Sequence, residues 1–177
     1  MENAKIEKIR SGIRKYQLLR QQLFLTDVAT STDFQKIFNG FFRMGRRTRA
    51  YYTDYYRYLQ DHKQQGISFA QALTFLYEKH GSLEMSFVSK MVAMVDPTYP
   101  IWDSVVTKGH FGIAAPYAYE KNRLQKGIEK YRLYCQRYAT YMQTEEAKAK
   151  LAEFERLFPK TEITDVKKLD FMLWQER

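Results

Sequence analysis

The chain has 177 residues, of which 45% are apolar and 16% aromatic, so it has enough core-forming side chains to exclude a disordered protein. Its single cysteine excludes a disulfide framework and a thiolate metal site. The formal charge of +9 predicts a polyanionic partner or surface, although basicity for solubility alone is the alternative. No apolar run has signal-peptide or membrane-spanning length, so we expect a cytoplasmic protein without a membrane partner.

The first third of the chain has helical periodicity. Apolar residues recur at spacings of three and four over residues 4–24, which predicts an amphipathic helix. Ser31 or Thr32 then starts a second helix as its N-cap, and this helix weakens near residues 40–45. A third helix is predicted from Arg46 to about His62, because no Gly or Pro interrupts that stretch.

The middle of the chain has the clearest helix boundaries. Ser68 is the predicted N-cap of a helix that has Gln71 in its first turn and ends at Gly81. Residues 84–95 form a second, more apolar helix that stops before Pro97, because the residue before a proline avoids helical geometry.

Four further helices are predicted in the remainder of the chain. A short helix follows Asp103, and two longer ones cover residues 118–142 and 144–158. Thr164 caps the last, whose large apolar set includes Trp174. No alternating strand pattern, repeat or linker is present, so we expect an all-α fold of eight or nine helices in one domain over residues 1–177.

A segment rich in arginine and tyrosine surrounds the predicted start of the third helix. The candidate nucleic-acid contacts there are Arg43, Arg46, Arg47, Arg49, Tyr51 and Tyr52. Arginines at a helix start favour phosphate, and neighbouring aromatic rings stack on bases. The alternative is that the tyrosine rings belong to the core and the arginine stems cover them.

The usual sequence motifs of catalysis are absent. There is no phosphate-binding glycine loop and no nucleophile elbow. His62, His80 and His110 are far apart in sequence, so no metal site or cofactor is predicted. Cys135 is predicted to be a small core residue, with a reactive thiol as the alternative.

The stretch HGSLEMSFVSKMVAMVDPTYPIWDSVV resembles the helix-hairpin-helix DNA glycosylases over residues 66–113. In that family a glycine-bearing hairpin precedes a catalytic aspartate at the start of a helix. The residues that match this pattern are Pro100, Ile101, Asp103 and Val106. The resemblance implies a glycosylase-like fold, a nucleic-acid partner that is DNA rather than RNA, and Asp103 as the catalytic carboxylate. It also implies that Ser82 in the hairpin contacts DNA and that Trp102 lines a base pocket, with burial of Trp102 in the core as the alternative.

Two departures from the family pattern restrict this interpretation. The hairpin has the sequence GSL with one glycine, and Glu84 or Met85 occupies the position of the lysine of bifunctional members. Lys90 comes too late, so the expected chemistry is monofunctional base excision without a Schiff base. The alternative for Asp103 is a helix N-cap. The alternative function is a non-enzymatic helical protein that binds nucleic acid or a protein through its basic Tyr/Arg helix.

Overall fold

The computed structural model describes residues 3–174, which contain nine α-helices and no β-strand. The helices are α1 (Asn3–Leu25), α2 (Thr32–Phe41), α3 (Arg49–His62), α4 (Phe69–His80), α5 (Met85–Val95), α6 (Ser104–Gly109), α7 (Arg123–Tyr141), α8 (Glu145–Leu157) and α9 (Asp165–Leu173). The predicted all-α class and helix number are confirmed for this part of the chain. No described helix is both long and apolar enough to cross a membrane.

Several predicted helix boundaries are confirmed by their capping hydrogen bonds. The hydroxyl groups of Ser31, Ser68 and Thr164 each accept a backbone N–H from the first turn of α2, α4 and α9. Gly81 ends α4 in the left-handed conformation, with φ of 68°. These ends depend on local side-chain chemistry, which explains why the sequence predicts them well.

Two predicted starts are wrong. Helix α3 begins at Arg49 and not at Arg46, because Thr48 caps it and Arg46 is left-handed with φ of 64°. Helix α7 begins at Arg123 and not at residue 118, because Asn122 is also left-handed. Backbone with positive φ cannot continue a right-handed helix.

The core contains most of the tyrosines of α3 and α7, and most of their hydroxyl groups find partners inside the protein, although the buried Tyr51 hydroxyl has none among the described residues. Tyr55 donates to the carbonyl oxygen of Phe87 over 2.9 Å, and Tyr56 donates to Asn39 Oδ1 over 2.7 Å. Tyr138 donates to the carbonyl oxygen of Val166 over 3.1 Å. A buried ring with a bonded hydroxyl gains apolar burial without the cost of an unpaired polar group. The tyrosines of these two helices therefore mainly stabilise the core, and little of their ring surface is exposed for binding.

Helices α5 and α7 hold the loop that leads into α6. The hydroxyl groups of Tyr131 and Tyr134 donate to the carbonyl oxygens of Pro100 and Ile101, over 3.0 and 3.2 Å. From the other side, the backbone N–H of Trp102 donates to Ser89 Oγ over 2.9 Å. Three consecutive residues are thus bonded to two helices, so the backbone just before Asp103 has a defined position.

Candidate functional site

Asp103 is the N-cap of α6. Its Oδ1 atom accepts the backbone N–H groups of Val105 and Val106, over 3.0 and 3.3 Å. The helix-cap alternative for Asp103 is therefore confirmed as a structural role. The other carboxylate oxygen, Oδ2, accepts the indole N–H of Trp174 over 3.0 Å. Trp174 is 71 residues away in sequence, and it connects the start of α6 to the end of α9.

A narrow carboxylate cleft lies beside this hydrogen bond, and we define it by Asp103, Lys167, Asp170, Phe171 and Trp174. Its cavity volume is about 10 Å³, which is room for about one water molecule. Asp103 therefore borders a space that is much smaller than a sugar or a base. Any larger molecule that reaches the carboxylate must displace a wall of the cleft.

Lys167 and Asp170 form a buried ion pair in this cleft. The Lys167 Nζ atom lies 3.4 Å from Asp170 Oδ2, and Lys167 is only 4% exposed. Burial lowers the pKa of Lys167 and raises the pKa of Asp170, because both charged forms lose water. Tyr138 also donates to Asp170 over 3.2 Å. Four aromatic rings surround the ammonium group within 6.0 Å: Tyr16, Phe41, Phe42 and Phe171. These contacts keep a cation in the core.

A second and larger pocket shares Phe171 and Trp174 with the carboxylate cleft and lies between α1, the C-terminal end of α2 and α9. We call it the cationic pocket. Three of its residues carry positive charge, namely Lys8, Lys15 and Arg43. Three have aromatic rings, namely Phe41, Phe171 and Trp174. The remaining wall residues are Ser11, Gly12 and Gly40. Its cavity volume is about 300 Å³, at the small end of the range for ligand sites.

The floor of the cationic pocket depends on a glycine. A Cβ atom at Gly12 would lie 2.9 Å from the Phe171 ring, which is closer than van der Waals contact permits. Glycine at this position lets α9 bring Phe171 against α1. At Gly40, in contrast, a Cβ atom would meet nothing within 4 Å. The pocket therefore has a closely packed floor and an open wall.

Arg43 reaches this pocket from a strained backbone position. It follows the end of α2 with φ of 51°, where helices favour glycine. The N–H groups of Arg43 and Met44 donate to the carbonyl oxygens of Gly40 and Asn39, over 3.4 and 2.8 Å. This is the hydrogen-bond pattern of a Schellman motif with arginine in place of glycine. A strained non-glycine residue beside a pocket is a candidate functional residue.

Arg47 has a structural role that the sequence did not reveal. Its guanidinium group forms two hydrogen bonds of 2.8 Å with the carboxylate of Glu84 and lies 5.0 Å from the Phe87 ring centroid. It links the loop before α3 to the start of α5. All four arginines are exposed, and Arg47 is the one of them that is paired with a carboxylate among the residues that the structure describes. The four arginines stay predicted phosphate contacts, but a phosphate at Arg47 would have to compete with Glu84.

The structure also corrects two predicted aromatic contacts. Tyr51 and Trp102 are each 2% exposed, so neither ring forms a surface on which a base can stack. Trp102 packs against Tyr134 with a centroid distance of 5.6 Å. Tyr52 is half-buried and its hydroxyl donates to the carbonyl oxygen of Met44 over 3.1 Å. Trp174, which the sequence placed only in an apolar set, is the tryptophan that lines a pocket.

The predicted hairpin is the four-residue connection between α4 and α5, at residues 81–84. Ser82 is half-buried there, and Glu84 is the N-cap of α5 without a side-chain capping hydrogen bond. Lys90 lies on α5 and is 7% exposed. Within residues 3–174, no three His, Cys, Asp or Glu side chains converge in the way that a metal ion requires.

Comparisons of the chain with protein-family models, with curated proteins and with solved structures gave no match.

Proposed function

We propose that this chain is a DNA-glycosylase-like nucleic-acid-binding protein that excises a base with Asp103 as the essential carboxylate. One observation carries the proposal: Trp174 lines the cationic pocket and also donates its indole N–H to Asp103. A base in that pocket lies against the residue that holds the carboxylate. The positive charge around the pocket suits the phosphate backbone of a strand.

Monofunctional base excision breaks the N-glycosidic bond, and water adds to the sugar at the carbon that the base leaves. The base departs with a proton, and positive charge develops on the sugar in the transition state. The anionic Asp103 stabilises that charge when the sugar lies beside it. Because the carboxylate cleft holds only about one water, the sugar reaches Asp103 when the Trp174 indole moves aside. Substrate entry thus exchanges the indole hydrogen bond for a contact with the sugar.

A second candidate function has its own supporting observation. Both oxygens of Asp103 already accept hydrogen bonds, from two backbone N–H groups and from the Trp174 indole. These hydrogen bonds are enough to explain Asp103 as a helix cap, without a catalytic role. The corresponding function is non-enzymatic binding of nucleic acid through the exposed arginines and the cationic pocket. Base release distinguishes the two functions, since only the first produces free base.

The test is base release from duplex and single-stranded oligonucleotides that carry a panel of oxidised, deaminated, alkylated and mismatched bases. We expect wild-type protein to release at least one base, and Asp103→Asn to lose this activity while it still binds the same DNA. Asn is itself a good N-cap, so the melting temperature changes little. Asp96→Asn is the matched control, because Asp96 caps the start of the same loop through Thr98. DNA binding without base release from the whole panel would favour the binder.

A further inference from the structure

The cationic pocket has the chemistry of a site for one anion attached to one aromatic ring. Lys8, Ser11 and Lys15 follow one another at spacings of three and four along α1, so they share a face of that helix. The Arg43 side chain faces them from the end of α2. Among the residues that the structure describes, no acidic side chain lines the pocket. Three unopposed positive charges around a small cavity favour a ligand with more than one negative charge.

The rest of the pocket is aromatic and apolar. Phe41, Phe171 and Trp174 provide rings from two helices, and Phe171 is only 3% exposed at the floor. Aromatic walls of this kind bind flat rings by stacking, with little dependence on the identity of a base. The volume of about 300 Å³ is at the small end for ligand sites, which limits the occupant to one compact unit.

We infer that the cationic pocket binds a nucleoside monophosphate unit, and this inference rests on the proposed nucleic-acid function for its class of ligand. The phosphate lies at the rim, where Lys8, Lys15 and Arg43 offer ammonium and guanidinium donors and Ser11 offers a hydroxyl group. The base lies inward, against the partly exposed rings of Trp174 and Phe41. The unit is either a free nucleotide or a single unpaired nucleotide of a strand, since both present the same phosphate and base.

The strained backbone of Arg43 supports this assignment independently of the pocket. A glycine at that position would relieve the strain, yet it would remove the third cation from the rim. The nearby glycines Gly40 and Gly45 do not have positive φ, so the left-handed position of this turn falls on an arginine. An arginine in a left-handed position is accounted for if its side chain has a ligand to bind.

The first experiment is isothermal titration calorimetry of the full chain with guanosine 5′-monophosphate, guanosine and inorganic phosphate, at about 0.15 M salt to screen distant charges. We expect the monophosphate to bind at least about tenfold more tightly than guanosine or phosphate, since only it has both parts. Equal affinity for the monophosphate and guanosine would refute the phosphate site. Equal affinity for the monophosphate and inorganic phosphate would mean that the pocket binds only an anion. It would refute the part of the inference that places a base against the aromatic rings.

Variants then locate the binding. The double variant Lys8→Gln with Lys15→Gln should reduce binding of the monophosphate to the level of guanosine. Its charge-matched control is Lys5→Gln with Lys36→Gln, two exposed lysines of α1 and α2 that are not in the pocket wall. A loss of affinity that is equal in the two double variants would mean that net charge and not the pocket binds the ligand.

A pocket-filling variant tests the cavity without removing a charge. Gly40→Leu points its side chain into the open space at this helical position, so we expect loss of nucleotide binding with no loss in melting temperature. Gly109→Leu adds the same side chain at another exposed helical glycine with open space and should leave affinity unchanged. Full affinity in Gly40→Leu would place the ligand elsewhere and overturn the inference.

A competition assay distinguishes the two sources of the ligand. Measurements of base release then separate this inference from the proposed function. Displacement of the monophosphate by single-stranded DNA supports a strand nucleotide as the occupant, and no displacement supports a free nucleotide. Base release by a wild-type protein that binds no nucleotide would refute this pocket and leave the proposed function standing. Nucleotide binding without base release would refute the proposed excision and leave the pocket standing.

Discussion

The indole N–H of Trp174 donates to Oδ2 of Asp103 over 3.0 Å, and this one hydrogen bond joins the start of α6 to the end of α9. Trp174 lines two spaces of different size, the carboxylate cleft of about 10 Å³ and the cationic pocket of about 300 Å³. The indole therefore contacts the carboxylate of Asp103 and also forms part of the pocket that we propose for a nucleotide. Phe171 and Trp174 both line the two spaces, so a change on one side reaches the other through these two rings.

Replacing Trp174 with phenylalanine separates its two roles, as a hydrogen-bond donor to Asp103 and as a wall of the cationic pocket. The variant keeps a ring in the pocket wall and removes the N–H donor to Asp103. We expect nucleotide affinity to stay within about threefold of wild type, because stacking tolerates either ring. Base release should rise relative to affinity, since the sugar no longer has to displace the indole hydrogen bond from Asp103. Affinity and base release that decrease by the same factor would show that Trp174 acts only as a pocket wall.

Arg43→Gly should stabilise the protein and weaken nucleotide binding. Glycine adopts the left-handed conformation without a steric penalty, whereas other residues are disfavoured there by about 1 to 2 kcal/mol. Part of this gain is lost because glycine makes the unfolded chain more flexible, so the net increase in the free energy of unfolding is about 0.5 kcal/mol. Chemical denaturation and calorimetry measure the two effects. A variant that is less stable would show that the Arg43 side chain has a structural role.

Arg46 and Arg47 should behave differently, although they are neighbours in sequence. Arg46→Ala removes an exposed charge, so if that charge contacts a phosphate the salt dependence of DNA affinity should become less steep by about one phosphate contact. Arg47→Ala should leave the slope unchanged and lower the free energy of unfolding by about 1 kcal/mol. This estimate is modest because the Arg47 side chain is 33% exposed and water screens its pair with Glu84. The reverse pattern would mean that Arg47 exchanges Glu84 for phosphate.

Cys135 should react slowly with iodoacetamide in the folded protein. Burial raises the pKa of its thiol to about 11, so at pH 8.5 only about 0.3% is thiolate, compared with about half of a free cysteine. The alkylation rate should therefore be much lower in native protein than after unfolding in guanidinium, and it should rise as the pH approaches 11. Mass spectrometry follows both rates. Equal rates at pH 8.5 would show that the thiol is accessible and ordinary.

The sequence by itself determined the helical class and many of the helix ends. The N-caps Ser31, Ser68 and Thr164 and the terminal Gly81 act through hydrogen bonds within three or four residues, so their effect is visible in a short window. The same is true of Asp103 as a helix cap. Predictions were wrong where a left-handed residue interrupted a helical pattern, as at Arg46 and Asn122, because composition favoured helix and the backbone turned instead.

Only the tertiary structure decided which residues share a site. Lys8 and Lys15 meet Arg43 because α1 packs on α2, and Trp174 meets Asp103 across 71 residues of chain. Tyr51 and Trp102 carried the same aromatic signal as Trp174, yet packing buried the first two and left the third in a pocket wall. Periodicity identifies residues that can be buried, but the approach of distant helices decides which of them are covered. The physical reason is that burial depends on the partner surface, which the local sequence does not contain.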